Sequence, residues 1–314
     1  MTEMQALQEM KFQPKDFEFT HESQELEKDE VMPARSAWKD SVSLFVRNKG
    51  AVIGIVCIAL ITIFAIVAPM LSGWKYDAID TSLQNIAPGA QHWFGTDNYG
   101  RDLWVRLWQG TRISLFVAVA AIFIDVVIGV TYGMISGYFG GKVDSVMQRI
   151  QEVINSIPTL VILTILLMVM KSSLFTIILA LSFTEWIGMS RITRAQVLKT
   201  KEEEFVLASR TLGAGSFFII FKEILPNIYS QMIIMVMMSI PNAIFYEAYL
   251  SFVGLGLPIP EASLGTLIND GFNTLTIYPF QMIIPVVVFS ILMLSFNLVG
   301  DGLRDALDPT MKEM

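Results

Sequence analysis

From residue 50 onward the chain alternates long apolar runs with short polar stretches. Crossing the hydrocarbon core of a bilayer takes about 20 mostly apolar residues in a helix. Six runs qualify: Ala51 to Leu71, about Ile113 to Tyr138, about Val146 to Met170, about Leu174 to Met189, about Ile228 to Phe252 and about Phe280 to Val299. The pattern predicts an all-α membrane protein with six transmembrane helices. Pro158, Pro241 and Pro285 fall inside runs and predict kinks there.

The polar stretches set the expected sidedness. Lysine and arginine collect on the cytoplasmic side. Six spans put both termini on one face, and with the N-terminus inside only Lys75, Arg101, Arg106, Arg112 and Lys171 of the 22 basic residues fall outside. The expectation is a multi-pass protein of the cytoplasmic membrane with both termini cytoplasmic. Segment 36–49, SAWKDSVSLFVRNK, reads as an amphipathic helix on the inner surface, with Trp38 and Phe45 towards lipid. LWVRLWQG, residues 103–110, reads as an outer interfacial helix, because tryptophan favours the headgroup layer. Beside it Asp97, Gly100, Arg101 and Asp102 are expected to pair locally or to meet a partner subunit.

Composition agrees with the spans: 53% of the 314 residues are hydrophobic and 16% charged. The net charge of −7 excludes nucleic acid as an expected partner, although acids such as Glu22, Glu25, Glu27, Asp29 and Glu30 crowd the first 40 residues. That tail has too few apolar residues for a core and is expected to stay mobile. The first apolar run begins too late for a secretory signal. Cys57 alone forms no intrachain disulfide, and His21 and His92 make no metal cluster. The methionines of QMIIMVMMSI, residues 231–240, read as adaptable packing rather than a metal site. No catalytic constellation and no G-x-x-x-x-G-K-[ST] phosphate cradle is found, so any ATP must be bound by another chain.

Between the fourth and fifth runs lies a polar segment, EEEFVLASRTLGAGSFFIIFKEILPN, residues 202–227. Three acids suit a helix N-terminus, and Gly213 suits a helix stop. A short helix is expected over about Glu203 to Leu212, with a second from about Ser216 leading back to the membrane and Pro226 near its end. A helix that short is unstable alone. It packs either on its own spans or in the groove of another protein.

This segment resembles the EAA loop of ATP-binding cassette importer permeases. The triplet falls on Leu207, Ala208 and Ser209, the glycine on Gly213 and the proline on Pro226; Leu207 replaces the family's glutamate. FGTDNYGRDLWVRLWQGTRISL (residues 94–115), GYFGGKVDSVMQRIQEVINSIP (137–158), EAYLSFVGLGLPIPEASLG (247–265) and NLVGDGLRDALDP (297–309) are similar to further signatures of the C-type permeases of dipeptide and oligopeptide importers. Leu264 stands where relatives usually carry tryptophan. The resemblance implies a type I importer permease fold with a cytoplasmic coupling helix. Glu203, Glu204, Phe205, Leu207, Ala208, Ser209, Leu212, Gly213 and Pro226 would be the coupling residues. It also implies a homologous B-type permease, two ATPase subunits that bind ATP and Mg, and an extracytoplasmic peptide-binding protein as partners. No cofactor is expected in this chain.

Three acids lie within apolar runs, where an unpaired charge is costly. Asp125 and Glu247 are candidates for the translocation path; Glu185 is expected near the inner end of the fourth span, where its carboxylate can reach the headgroups. The competing function is a proton-coupled secondary carrier using such acids. The expected organisation is an acidic tail over 1–35, an interfacial helix, first span and outer loop over 36–110, a permease core over 111–302 and a C-terminal tail over 303–314. Removal of most of residues 1–30 should leave assembly intact, checked by co-purification of the partner subunits; loss of assembly contradicts this division.

Overall fold

A computed structural model describes residues 37–307; the acidic tail and residues 308–314 lie outside the described residues. The helices are α1 (Ala37–Arg47), α2 (Lys49–Leu71), α3 (Leu103–Phe139), α4 (Gly141–Asn155), α5 (Thr159–Met170), α6 (Leu174–Thr184), α7 (Trp186–Thr200), α8 (Glu204–Thr211), α9 (Ser216–Phe218), α10 (Leu225–Leu250), α11 (Leu264–Asn273) and α12 (Phe280–Leu307). The chain from Ser43 onward forms one compact unit.

Five helical runs are long and apolar enough to cross a membrane: Lys49–Leu71, Leu103–Phe139, Leu174–Thr200, Ser216–Leu255 and Phe280–Leu307. The expected third span is different. At Ser156–Pro158 the chain bends by 75° between α4 and α5, so this crossing is broken and counts as a sixth only if both pieces are taken together. Pro158 cannot donate the hydrogen bond that a continuous helix needs there. The expected interfacial helix at 103–110 is instead the first two turns of the 37-residue α3, capped by Asp102 accepting from Val105 N–H. Phe45 does not turn wholly to lipid: its ring lies against Gly302 near the end of α12.

The second helix of the polar segment also runs on without a stop. Residues 219–224 form a wide turn in which Leu225 N–H donates to Ile220 O, one residue further back than in an α-helix. That widening precedes Pro226, which otherwise would crowd the preceding turn. Pro226 therefore lies within a continuous helical path, not at an end.

The closest helix contact joins α3 to α7. Gly129, Gly133 and Gly137, four residues apart, meet Trp186, Ser190 and Arg194, also four apart. The two helices therefore run parallel and in register. A Cβ at Gly129 would fall 2.7 Å from the Trp186 carbonyl oxygen, one at Gly137 3.0 Å from that of Arg194, and one at Gly133 would overlap the Ser190 carbonyl. Small residues at this spacing let helix backbones approach where lipid supplies no hydrophobic drive. α4 is then stitched across both helices. Arg194 donates Nε at 2.6 Å and Nη2 at 2.5 Å to the two Asp144 oxygens, and Gln151 donates to Ser190 Oγ at 2.7 Å. The Arg194 hydrogen bonds, helped by Ser136, hold the Asp144 carboxyl at about 2 against the opposing cost of burial.

At the opposite end, residues 72–102 and 256–279 close over the bundle. Asp97 accepts N–H groups of Tyr99 at 2.9 Å and Arg101 at 3.0 Å, and its second oxygen takes Arg101 Nε at 2.7 Å. Arg106 pairs with the same oxygen at 3.3 Å and donates to the carbonyls of Tyr76 and Pro260. Both arginine side chains are buried. Of the two expected outcomes for this motif, local pairing is what the structure has. Pairing is what makes such burial tolerable, since removal of one partner leaves a stranded charge.

Gly133→Leu should force α3 from α7 and lower the melting temperature of the detergent-solubilised subunit, an overpacking loss of about 1–3 kcal/mol. Gly188→Leu, on α7 but facing open space, should leave it unchanged. Equal effects would contradict the register.

Candidate functional site

α8 is the product of local signals. Lys201 donates Nζ to Gly137 O at 3.0 Å, tying the end of α7 to the end of α3. Favourable charge at a helix C-terminus adds to that bond. The chain then turns through Glu202 and Glu203. Val206 and Leu207 N–H groups both donate to Glu203 O, starting an eight-residue helix with Glu204 in its first turn. It ends at Gly213, whose φ of 88° few other residues adopt, with open space around its Cβ position. The glycine thus serves backbone conformation.

Of this helix one side chain alone is buried. Val206 is fully buried and packs with Val130, Met134, Val197, Ile219 and Ile224. Burial of such a side chain contributes about 1.5–3 kcal/mol. Ser209 adds a bond to Glu223 at 3.3 Å. Glu203, Glu204, Phe205, Leu207, Ala208, Leu212 and Gly213 are exposed, as is Pro226, and Leu212 is 88% exposed. Phe217 and Phe221, both exposed, stack in parallel beside it, centroids 6.3 Å apart. The segment is a projection fixed by a single apolar peg, with its remaining apolar residues turned outward.

The intramembrane acids separate into two settings. Glu247 is buried on α10, where Ser114 donates at 2.7 Å and Ser251 at 2.9 Å. Ser114 Oγ also accepts from Leu264 N–H at 3.1 Å. Glu247 therefore joins α3, α10 and the start of α11 in a closed polar knot. Leu264 is fully buried beside it. Asp125 is also buried, but its Oδ1 has no partner among the described residues. It continues the spacing of Gly129, Gly133 and Gly137 by one turn. There it faces the joint between α6 and α7, occupied by Glu185, which is within electrostatic range of Asp125. Glu185 is thus midway along the run Leu174–Thr200 rather than near its inner end.

Two elements were missed in the sequence, and only the first left a signal there. The repeat G-x-x-x-G-x-x-x-G at 129–137 marks the α3–α7 contact. Val206 is the apolar residue four before Arg210 and seven before Gly213, flanked by residues that all face out; nothing in the local pattern separates it from Phe205 or Leu207.

Residues 129–313 match the family described as binding-protein-dependent transport system inner membrane component, and residues 36–88 match the N-terminal transmembrane domain of oligopeptide transport permease C. The chain is 47% identical to the oligopeptide transport system permease protein OppC of Bacillus subtilis, over 88% of this chain and 91% of the relative. It is 44% identical to the dipeptide transport system permease protein DppC of the same organism, over 89% and 88%. It is 41% identical to OppC of Escherichia coli, over 88% and 92%. Among solved structures, an inward-facing MetNI methionine ABC transporter shares the fold with a TM-score of 0.54 and 21% identity, over 64% of this chain and 96% of that chain. With two family matches and relatives above 40% identity along most of its length, the chain belongs to the family of binding-protein-dependent transport system inner membrane components.

Proposed function

We propose that the chain is the permease subunit of an ATP-driven peptide importer and that α8 is its coupling helix. The observation that carries the reading is the exposure of Phe205, Leu207, Ala208 and Leu212 on a helix whose one buried side chain is Val206. Such a projection stabilises itself only when a partner covers it. In this reading one of two ATPase subunits grips α8 from the cytoplasm, a homologous permease completes the path, and an extracytoplasmic protein delivers peptide. Both termini and residues 201–224 are then cytoplasmic. ATP and Mg are held by the ATPase subunits, and this chain carries out no covalent step. The family membership and the peptide-permease names of its relatives favour this reading over a proton-coupled carrier.

The mechanism follows from rigid connections. α8 joins α7 through three residues, and α7 is locked to α3 by the glycine contacts and to α4 by Arg194 and Asp144. Movement of α8 by an ATPase therefore moves α7, α3 and α4 together. An ATP-driven shift needs a contact that differs between the two states, and the exposed face of α8 supplies it. Leu207, in place of the family's glutamate, makes that contact apolar.

Ala208→Asp should reduce ATP-driven peptide uptake in vesicles by about tenfold or more, as loss of an interface anchor does. The amount of subunit in the membrane and its melting temperature should not change. Gly213→Val should act likewise, because its left-handed backbone costs roughly 1–2 kcal/mol in other residues. Normal uptake with either variant contradicts the coupling role.

A further inference from the structure

Asp125 and Glu185 form an acid pair that the coupling machinery does not use. Asp125 is 5% exposed and its Oδ1 lacks a partner among the described residues. Thr184, immediately before Glu185, is also buried, and its Oγ1 likewise lacks a partner. No lysine, arginine or histidine among the described residues forms an ion pair with either acid. Tyr246 of α10 lies within electrostatic range of Glu185 and is half-buried. One turn before it on the same face, Asn242 is exposed. The cluster is thus closed on the Asp125 side and open on the side of Glu185, Tyr246 and Asn242.

Its place in the fold is unusual in a second respect. Ser182 of α6 donates to Ala121 O, while Trp186 of α7 meets Gly129. The two helices are joined through Glu185 at the level of Asp125, in the middle of a 27-residue run. Interrupted helices with ionisable groups at mid-depth are where transporters place polar cargo. A buried carboxylate with an unsatisfied oxygen, a second acid in electrostatic range and no counter-charge calls for a cation with several N–H donors. An ammonium group has three.

We propose that Asp125, Glu185 and Tyr246 form a subsite of the translocation path that receives an ammonium group, the free N-terminus of a peptide in transit. The subsite rests on the peptide-importer reading. Asp125 supplies the buried acceptor, and Glu185 supplies the acceptor reachable from the path. The Tyr246 ring closes one side as a cation–π face.

The test uses the assembled transporter in lipid nanodiscs without its binding protein, so that selection there does not enter. A photoreactive benzoylphenylalanine replaces Asn242, and radiolabelled trialanine and N-acetyl-trialanine are the probes. Trialanine should cross-link about tenfold more than the acetylated peptide, the worth of a charge-assisted hydrogen bond. Asp125→Asn and Glu185→Gln should each remove that advantage and leave the acetylated peptide unchanged. Each is isosteric, and the half-exposed Glu185 gives a variant that tests the subsite even where Asp125→Asn fails to assemble. Equal cross-linking of the two peptides, or an advantage that survives both substitutions, overturns the proposal. A complex that takes up no peptide in vesicles once its binding protein and ATP are supplied overturns instead the importer reading on which the proposal rests.

Discussion

The contact of α3 with α7 is what the rest of the molecule depends on. Three glycines leave the α3 side of the contact without side chains, and the α3 backbone comes within reach of the α7 carbonyls and of Met189, Thr193 and Val197. In a membrane, this close approach replaces the hydrophobic drive that soluble helices use. From it follow both functional ends of the structure. Towards residues 201–224 the locked pair continues through Lys201 into α8. In the other direction the same four-residue spacing arrives at Asp125, where an acid stands in place of a glycine and the facing helix is interrupted at Glu185.

Two kinds of polar burial divide the bundle. Glu247 and Asp97 are supplied with partners and fix helices and loops to one another. Gln281 belongs to the same class, donating to Asn85 and to Thr96 O at 2.9 Å each. Asp125 and Thr184 are buried with atoms left unsatisfied. A protein tolerates such atoms where packing alone does not decide the residue, since each costs about 1–3 kcal/mol.

Much of the fold was legible in the sequence because hydrocarbon length dictates helix length. The runs beginning at Ala51, Leu174 and Phe280 became helices with starts within two residues of the expected ones. The α8 boundaries were legible too, from the acids before Phe205 and from Gly213. What the sequence concealed depended on tertiary geometry. Pro158 signalled a kink, but the 75° bend comes from α4 being held flat on α3 and α7 by Asp144 and Gln151. Residues 103–110 carried the aromatic mark of an interfacial helix, yet they extend α3, with Trp108 buried against the apolar cluster of Leu103, Leu107 and Ile244. Glu247 and Asp125 look alike in the chain; only their neighbours show that one is a structural knot and the other is unsatisfied.

The account stands on α8 being gripped by a second protein. The most direct measurement is disulfide cross-linking in native membranes, with Cys57, the single cysteine, replaced by serine and a new cysteine at Leu207. Scanning cysteines over the ATPase surface should give a cross-linked permease–ATPase product whose yield changes when ATP binds, and none between position 207 and the permease's own helices. Cross-links confined to α3, α7 or α10 of the same chain, with no second protein captured, would contradict the account.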